Sequence, residues 1–289
     1  MINTYDLKIS QPQKFNQLSV KDMLFVYYHC PQVEKQLELF THLNEIAFTL
    51  SGKKTIQQGG KSWVLTENKS LFLRRAAYKQ ELDETSGWEV LAFYFNDDFL
   101  RKVFDEYRLY LPLNNLPNPP KEMFIEITVN ETARAFFFSI IPYFDKKNPP
   151  PEKLLEHKFK ELIFTILADP SNARLLAYVN SIQNQFKTPI WEVMETNYTF
   201  NLTIDEFAKI AQRSPATFKR EFREYYHTTP GKWLTKRKLE HAKLVLETSD
   251  RLVKEVAIES GFENLSHFSR VFKKTYGVTP SAYRQNNHK

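Results

Sequence analysis

At 289 residues the chain exceeds the ~100–200 residues usual for one domain, so two domains are expected. With 42% hydrophobic residues, 24 Phe and 14 Tyr it can build substantial cores, which excludes a disordered, collagen-like or low-complexity polymer. The net charge of +6 lies entirely in residues 186–289, where 18 basic face 12 acidic side chains. Such an excess suits a nucleic-acid partner and equally a merely solvated surface. No stretch approaches the ~20 apolar residues of a membrane span, and residues 1–20 lack the apolar segment of a secretory signal. No membrane partner and a cytoplasmic location are therefore expected. The single cysteine, Cys30, rules out an intrachain disulfide and a Cys-rich zinc site, and is expected to serve as a small buried hydrophobe.

In chain order, residues 20–95 read as β. Short aromatic and β-branched runs recur at Met23–Tyr28, Glu45–Leu50, Ser62–Thr66, Ser70–Leu73 and Trp88–Phe95, separated by Ser51-Gly52, Gly59-Gly60 and Ser86-Gly87 as hairpin turns would be. Many short strands with close turn signals predict an antiparallel barrel or sandwich, able to hold a ligand in its mouth. Trp63, Tyr78 and Trp88 are candidates for lining such a pocket, the alternative being ordinary core positions. A metal-dependent barrel enzyme of the cupin type would need convergent imidazole and carboxylate ligands, and this stretch offers only His29 and His42 with no His-x-His pair. No metal, catalytic residue or cofactor is expected.

From Asn96 to residue 185 the pattern turns helical, starting near Asp97-Asp98 and broken by the Pro-rich stretch Leu111–Pro120 and by Pro149–Pro151. Leu155, Phe159, Leu162 and Ile166 recur at spacings of 4, 3 and 4, which puts them on one helix face. That stripe must be buried, either against the barrel or as the seam of a homodimer. Residues 171–188 read as a further helix and the connection between domains.

The last hundred residues contain an internal duplication. At an offset of 50, Phe218, Arg220, Phe222, Tyr226, Thr229 and Pro230 match Phe268, Arg270, Phe272, Tyr276, Thr279 and Pro280, while Ala208 matches Ala257 at an offset of 49. In the first copy Thr203 and Glu206 form a capping box ahead of Ile204, Phe207, Ala208 and Ala211; Arg213 makes a turn; Ser214 caps a second helix with Pro215 at its first position. In the second copy Val253, Val256 and Ala257 face inward, Gly261 supplies a left-handed residue, Asn264 caps and Gly277 closes the helix. A short helix, a tight turn and a second helix with an exposed basic face predict a helix-turn-helix that lays its second helix in the DNA major groove. With Phe218 and Phe222 turned to the core, Thr217, Lys219, Arg220 and Arg223 are the candidate DNA contacts, and Ser266, Ser269, Arg270 and Lys273 are their counterparts. Arg can pair with guanine O6 and N7, Ser and Thr can bond bases or phosphates, and Lys neutralises phosphate. Lys232–Glu247 reads as one joining helix with Trp233, Leu239, Ala242 and Leu246 near one face and Lys236, Arg237 and Lys238 along another. At ~1.5 Å per residue it spans ~24 Å, enough with its flanking turns to approach the ~34 Å between successive major grooves on one side of a duplex.

At these residues the chain resembles the AraC/XylS family of bacterial transcription regulators. The second copy carries the family signature in Val253-Lys-Glu-Val-Ala257, Gly261-Phe262, Ser266-His-Phe-Ser-Arg-Val-Phe-Lys273, Gly277 and Thr279-Pro-Ser-Ala-Tyr-Arg284. The first copy departs from it at Gln212, Arg213 and His227. The resemblance covers residues 187–287 and implies a seven-helix DNA-binding domain with Thr217, Lys219, Arg220, Ser266, Ser269 and Arg270 on the base or phosphate side. It further implies transcriptional activation through RNA polymerase, dimerisation through the regulatory half, and control by a small molecule in some members and by a protein partner in others.

The expected architecture is therefore α+β. A cupin-like antiparallel β-barrel with a helical segment occupies residues 1–185 as the regulatory and dimerisation domain. An all-α domain with two helix-turn-helix motifs occupies residues 186–289. The expected function is that of a sequence-specific DNA-binding transcription regulator, an activator, reading two adjacent major-groove half-sites; the rivals are a metal-dependent cupin enzyme with an accessory DNA-binding domain and a protein-interaction adaptor.

Overall fold

The computed structural model describes residues 1–30, 35–82, 88–144, 150–183 and 188–287. They fall into two compact units, Met1–Lys187 and Thr188–Lys289. The expected Ser86-Gly87 turn and Pro149 lie outside the described residues.

The N-terminal unit opens with β1 (Ile2–Asn3) and α1 (Thr4–Ser10), whose cap is Asn3: its Oδ1 accepts from the amides of Tyr5 and Asp6, each at 3.1 Å. Then come β2 (Asn16–Val20), β3 (Met23–His29), β4 (Gln36–Phe40), β5 (Asn44–Gln58), β6 (Lys61–Thr66), β7 (Ser70–Leu73), β8 (Ala77–Leu82) and β9 (Trp88–Phe95). They form one curled sheet in the order β1-β4-β8-β5-β9-β3-β2, antiparallel except for the β1–β4 pair, with β6 and β7 also pairing with β5. The Gly59-Gly60 turn joins β5 to β6 as the sequence predicts. Ser51-Gly52 does not make a hairpin. It lies inside the fifteen-residue β5 at a register shift between Thr49 and Ser51, with Gly52 at φ +83°. A bulge there lets a single strand bend from one part of the sheet into the other.

Successive residues of the central strands serve two cores. Phe25, Phe48, Phe93 and Phe95 face one, whereas Leu24, Val26, Ala47, Ala92 and Tyr94 face the other. The strands read as continuous apolar runs because both faces of the sheet are covered.

The first face is roofed by α2 (Asp97–Tyr107), α3 (Glu131–Ile140), α4 (Glu152–Ala168) and α5 (Ala173–Ser181). Asn96 caps α2 by accepting from the Phe99 amide at 2.9 Å, and Asp97 is buried against Arg75 and Asn44. β10 (Phe124–Ile127), within the segment expected to be helical, pairs with β7. The stripe Leu155, Phe159, Leu162 and Ile166 lies on α4 and is at most 2% exposed inside this core. The homodimer seam is thereby corrected: the apolar area of that face is already spent on the sheet, and nothing remains for a partner.

The second face borders a half-open cavity of about 340 Å³. Of the three pocket candidates, only Tyr78 lines it. Trp63 packs edge-on against Phe124 at 5.0 Å, and Trp88 is buried with its indole N–H donating to Thr49 Oγ1 at 3.3 Å. Cys30 is half-buried and borders the cavity.

The C-terminal unit contains seven α-helices among the described residues: α6 (Ile190–Asn197), α7 (Ile204–Ile210), α8 (Pro215–Tyr226), α9 (Pro230–Thr248), α10 (Val253–Glu259), α11 (Leu265–Tyr276) and α12 (Pro280–Asn287). Among the described residues no helix is long and apolar enough to cross a membrane.

Candidate nucleic-acid interface

Two helix pairs, α7–α8 and α10–α11, are built to one plan. The Thr203–Glu206 capping box is complete, the Thr203 amide donating to Glu206 Oε2 at 2.6 Å and the Glu206 amide to Thr203 Oγ1 at 3.2 Å. In the second copy the Leu252 amide donates to Glu255 Oε2 at 2.9 Å. Each short helix ends in the same double closure. Gln212 N–H and Gly261 N–H donate to Lys209 O and Ile258 O, and Arg213 N–H and Phe262 N–H to Ala208 O and Ala257 O, all at 2.9 Å. These bonds satisfy carbonyls that the helix end would leave open, and they require a left-handed residue. Gln212 at φ +53° and Gly261 at φ +84° are those residues. The turn in the first copy therefore pivots on Gln212, and Arg213 is the residue after it.

Arg213 has a different task. It occupies the place of Phe262, which is buried against Phe268 at 5.0 Å. Its own side chain is only 7% exposed, with Nε donating to Glu221 at 2.6 Å and Nη1 to the carbonyls of Thr188 at 2.8 Å and Ala211 at 2.6 Å. One copy thus locks its turn with a ring and the other with a guanidinium. Arg213→Ala is expected to cost the C-terminal unit about 2–4 kcal/mol in urea unfolding, because it strands a half-buried carboxylate and two carbonyls. A loss below about 0.5 kcal/mol, the scale of an exposed pair, would show that the network contributes nothing.

The second helix of each pair is pinned by phenylalanines at i and i+4. Phe218, Phe222, Phe268 and Phe272 are fully buried, as their spacing predicts. Ser214 Oγ accepts from the Thr217 amide at 3.2 Å, and Asn264 Oδ1 from the amides of Ser266 at 2.8 Å and His267 at 3.1 Å. α8 ends at His227 with φ +52° and α11 at Gly277 with φ +81°.

With the phenylalanines inward, Lys219, Arg220 and Arg223 on α8 and Ser266, Arg270 and Lys273 on α11 are exposed, whereas Thr217 and Ser269 are half-buried. Thr217 Oγ1 accepts from Ser214 Oγ at 2.9 Å, which ties it to the cap. Arg220 stands 3.9 Å from Glu224 with both side chains about two-thirds exposed (68% and 67%), a contact too weak to hold it from another partner. Lys219, Arg223, Arg270 and Lys273 have no ion pair among the described residues.

The basic run on α9 is less free than its sequence suggests. Lys238 is half-buried and donates to Gly261 O at 2.7 Å and Asn201 Oδ1 at 3.2 Å, bridging the second turn to the loop before α7. Arg237 pairs with Glu195 at 2.9 Å and lies 4.9 Å from the centre of the Tyr198 ring. Only Lys236 of the three is exposed. Ser266, His267 and Arg270 border a cleft of about 730 Å³ whose other wall includes Thr235 and Lys238 of α9. His267 was not among the sequence candidates. Its exposure follows from its place one residue before the buried Phe268, a position that the spacing of Phe268 and Phe272 already marks as outward.

Comparisons with known proteins agree with this division. Residues 44–178 match the family described as the ExsA N-terminal regulatory domain, and residues 207–286 match a helix-turn-helix domain family. The chain is 23% identical over 238 residues to the HTH-type transcriptional regulator ExsA of Pseudomonas aeruginosa, covering 82% of this chain and 84% of that protein. It is 21% identical over 235 residues to the virulence regulon transcriptional activator VirF of Yersinia enterocolitica, covering 81% and 86%. Among solved structures, ToxT of Vibrio cholerae aligns over 91% of this chain and 98% of its own at 16% identity and a TM-score of 0.42. The buried phenylalanine pairs, the duplicated turns and the paired family matches identify the chain as a member of the AraC/XylS family of transcriptional regulators, with an N-terminal regulatory unit and a C-terminal helix-turn-helix unit.

Proposed function

We propose that the chain activates transcription by reading two adjacent major-groove half-sites of double-stranded DNA with α8 and α11. The observation that carries this reading is the shared geometry of the two turns, each delivering a capped helix whose apolar side is buried and whose opposite side is cationic. α9 joins the pairs. Its nineteen residues span about 28 Å, a length that with the flanking turns suits neighbouring grooves. Arg220, Arg223, Arg270, Lys219, Lys273 and Ser266 are the contacts proposed to reach bases or phosphates, while Thr217 and Ser269 stand at the margins of that surface. The activating sign is supported by the name VirF carries, and recruitment of RNA polymerase is its ordinary route. The N-terminal unit is the proposed seat of control by a small molecule or protein partner. If the chain dimerises, it does so through a surface other than the α4 stripe.

Fluorescence anisotropy on a selected operator tests the reading. Arg270→Ala is expected to weaken binding by about 1–3 kcal/mol and to relax preference at one base step. Lys273→Ala is expected to reduce the salt slope by about 1 without altering sequence preference. Unchanged affinity and preference in Arg270→Ala, or footprints lacking a protected stretch of about two helical turns, would refute it.

A further inference from the structure

The cavity in the N-terminal unit contains more buried positive than negative charge among the described residues. Lys8 on α1 and Lys54 on β5 are each 5% exposed and both line it, as does Glu45, also 5% exposed. Lys54 Nζ lies 3.5 Å from the centre of the Trp88 ring, and Lys8 Nζ lies 5.0 Å and 5.1 Å from those of Tyr28 and Tyr94. Neither ammonium has a hydrogen bond or ion pair among the described residues. Ring faces attract a cation, but they supply neither the acceptors nor the hydration that a buried ammonium gives up. Glu45 Oε2 is itself without a hydrogen-bond partner. Burial lowers the pKa of Lys8, and lowers that of Lys54 to about 7, with the Lys8 charge adding to the effect. Natural proteins rarely keep two lysines in such a place without an acceptor for them.

The remaining lining sets the shape of what would supply one. Leu7, Phe15, Leu37 and Leu39 are apolar walls, and about 340 Å³ is roughly ten water volumes, room for a small molecule. The two buried ammonium groups and one buried carboxylate leave one buried positive charge to be met, and Lys14, exposed at the rim, adds a further cation there. We propose that this cavity binds a small monocarboxylate with an apolar body, its oxygens taken by Lys8 and Lys54 and its body laid along Leu7, Phe15, Leu37 and Leu39. Because Lys8 is carried by α1 and Lys54 by the sheet, such a ligand ties the N-terminal helix to the barrel. Its use as a regulatory signal rests on the reading of this unit as the seat of control; its binding does not.

Proton uptake follows from the same geometry. Lys54 is faced by Lys8 from α1, Tyr28 and Cys30 from the β3 end, Glu45 from its own strand, Tyr78 and Gln80 from β8, and Trp88 from β9. Burial holds the Tyr28 and Tyr78 hydroxyls protonated. Above about pH 7 the empty site loses the Lys54 proton, and a bound carboxylate restores it, so affinity falls toward tenfold per pH unit.

Calorimetric titration of the full chain with octanoate and with octanol, its neutral counterpart, tests the proposal. Octanoate is expected to bind at one site about tenfold or more tighter than octanol, the scale of a charge-assisted hydrogen bond. Lys54→Met and Lys8→Met are each expected to erase that advantage while octanol still binds, which shows the cavity intact. The pH dependence should vanish in Lys54→Met. Octanoate binding no tighter than octanol, or at wild-type strength in both variants, overturns the site. Octanoate that binds as expected but leaves operator affinity unchanged upholds the site and overturns control through this unit.

Discussion

Phe159→Ala is expected to lower the stability of the N-terminal unit by about 3–5 kcal/mol, a large share of what a domain of this size possesses. Phe159 is fully buried at the meeting point of sheet and helices, with ring centres of Phe25, Phe93, Phe95 and Phe99 at 5.1, 5.2, 5.2 and 5.1 Å. Truncation removes the apolar area and four ring contacts at once, and the rigid sheet beneath cannot collapse into the space. Urea unfolding followed by near-ultraviolet dichroism reads the loss. Any dependence of the midpoint on protein concentration should be the same in the wild type and in Phe159→Ala. A midpoint that rises with concentration in the wild type and loses that dependence in Phe159→Ala would return this face to a subunit seam.

In the C-terminal unit, Gly261→Ala is expected to cost about 2–5 kcal/mol and to disable the second reading helix. At φ +84° a side chain is already strained, and a Cβ there would stand 2.4 Å from the carbonyl oxygen of Thr199 and 2.9 Å from its carbon. Both are backbone atoms, so relief requires moving the loop before α7 or the turn itself. The same turn places Gly261 O against Lys238 Nζ. Gly277→Ala provides the comparison: φ is +81° but no atom lies within 4 Å of the added carbon, so only the backbone cost of about 1–2 kcal/mol applies. Equal losses in the two variants would refute the steric account. Gln212, at the matching turn of the first copy, exposes its side chain to solvent, which is why that copy dispenses with glycine there.

The C-terminal unit was legible in the sequence because its signals are local. A cap needs a polar side chain two or three residues from an open amide, and a pinned helix needs Phe at i and i+4, so Thr203, Ser214, Asn264, Phe218 and Phe268 announce their roles within a few positions. The Arg213 network escaped, since its acceptors at Thr188 and Glu221 are not adjacent in sequence and a turn arginine gives no sign of being buried. In the N-terminal unit the aromatic and β-branched runs are equally local, and β3, β5, β6, β7 and β9 stand on them, whereas β1, β2, β4, β8 and β10 lie outside the named runs. Ser51-Gly52 misled because a turn and a bulge ask for the same left-handed glycine, and only the pairing of β5 with β9 on both sides of it distinguishes them.

Sequence alone determined that the chain has short apolar strands set off by turns, helices with one apolar side and a doubled helix-turn-helix, for each depends on neighbours in the chain. Tertiary structure decided which surface each apolar side meets and which charges are buried with it. The α4 stripe has the same spacing whether it covers a sheet or a second subunit, and nothing beside Lys8 or Lys54 in the chain signals their burial, which segments 46 positions apart bring about at one cavity. Burial is a property of the assembled fold, set by long-range packing that no local window contains.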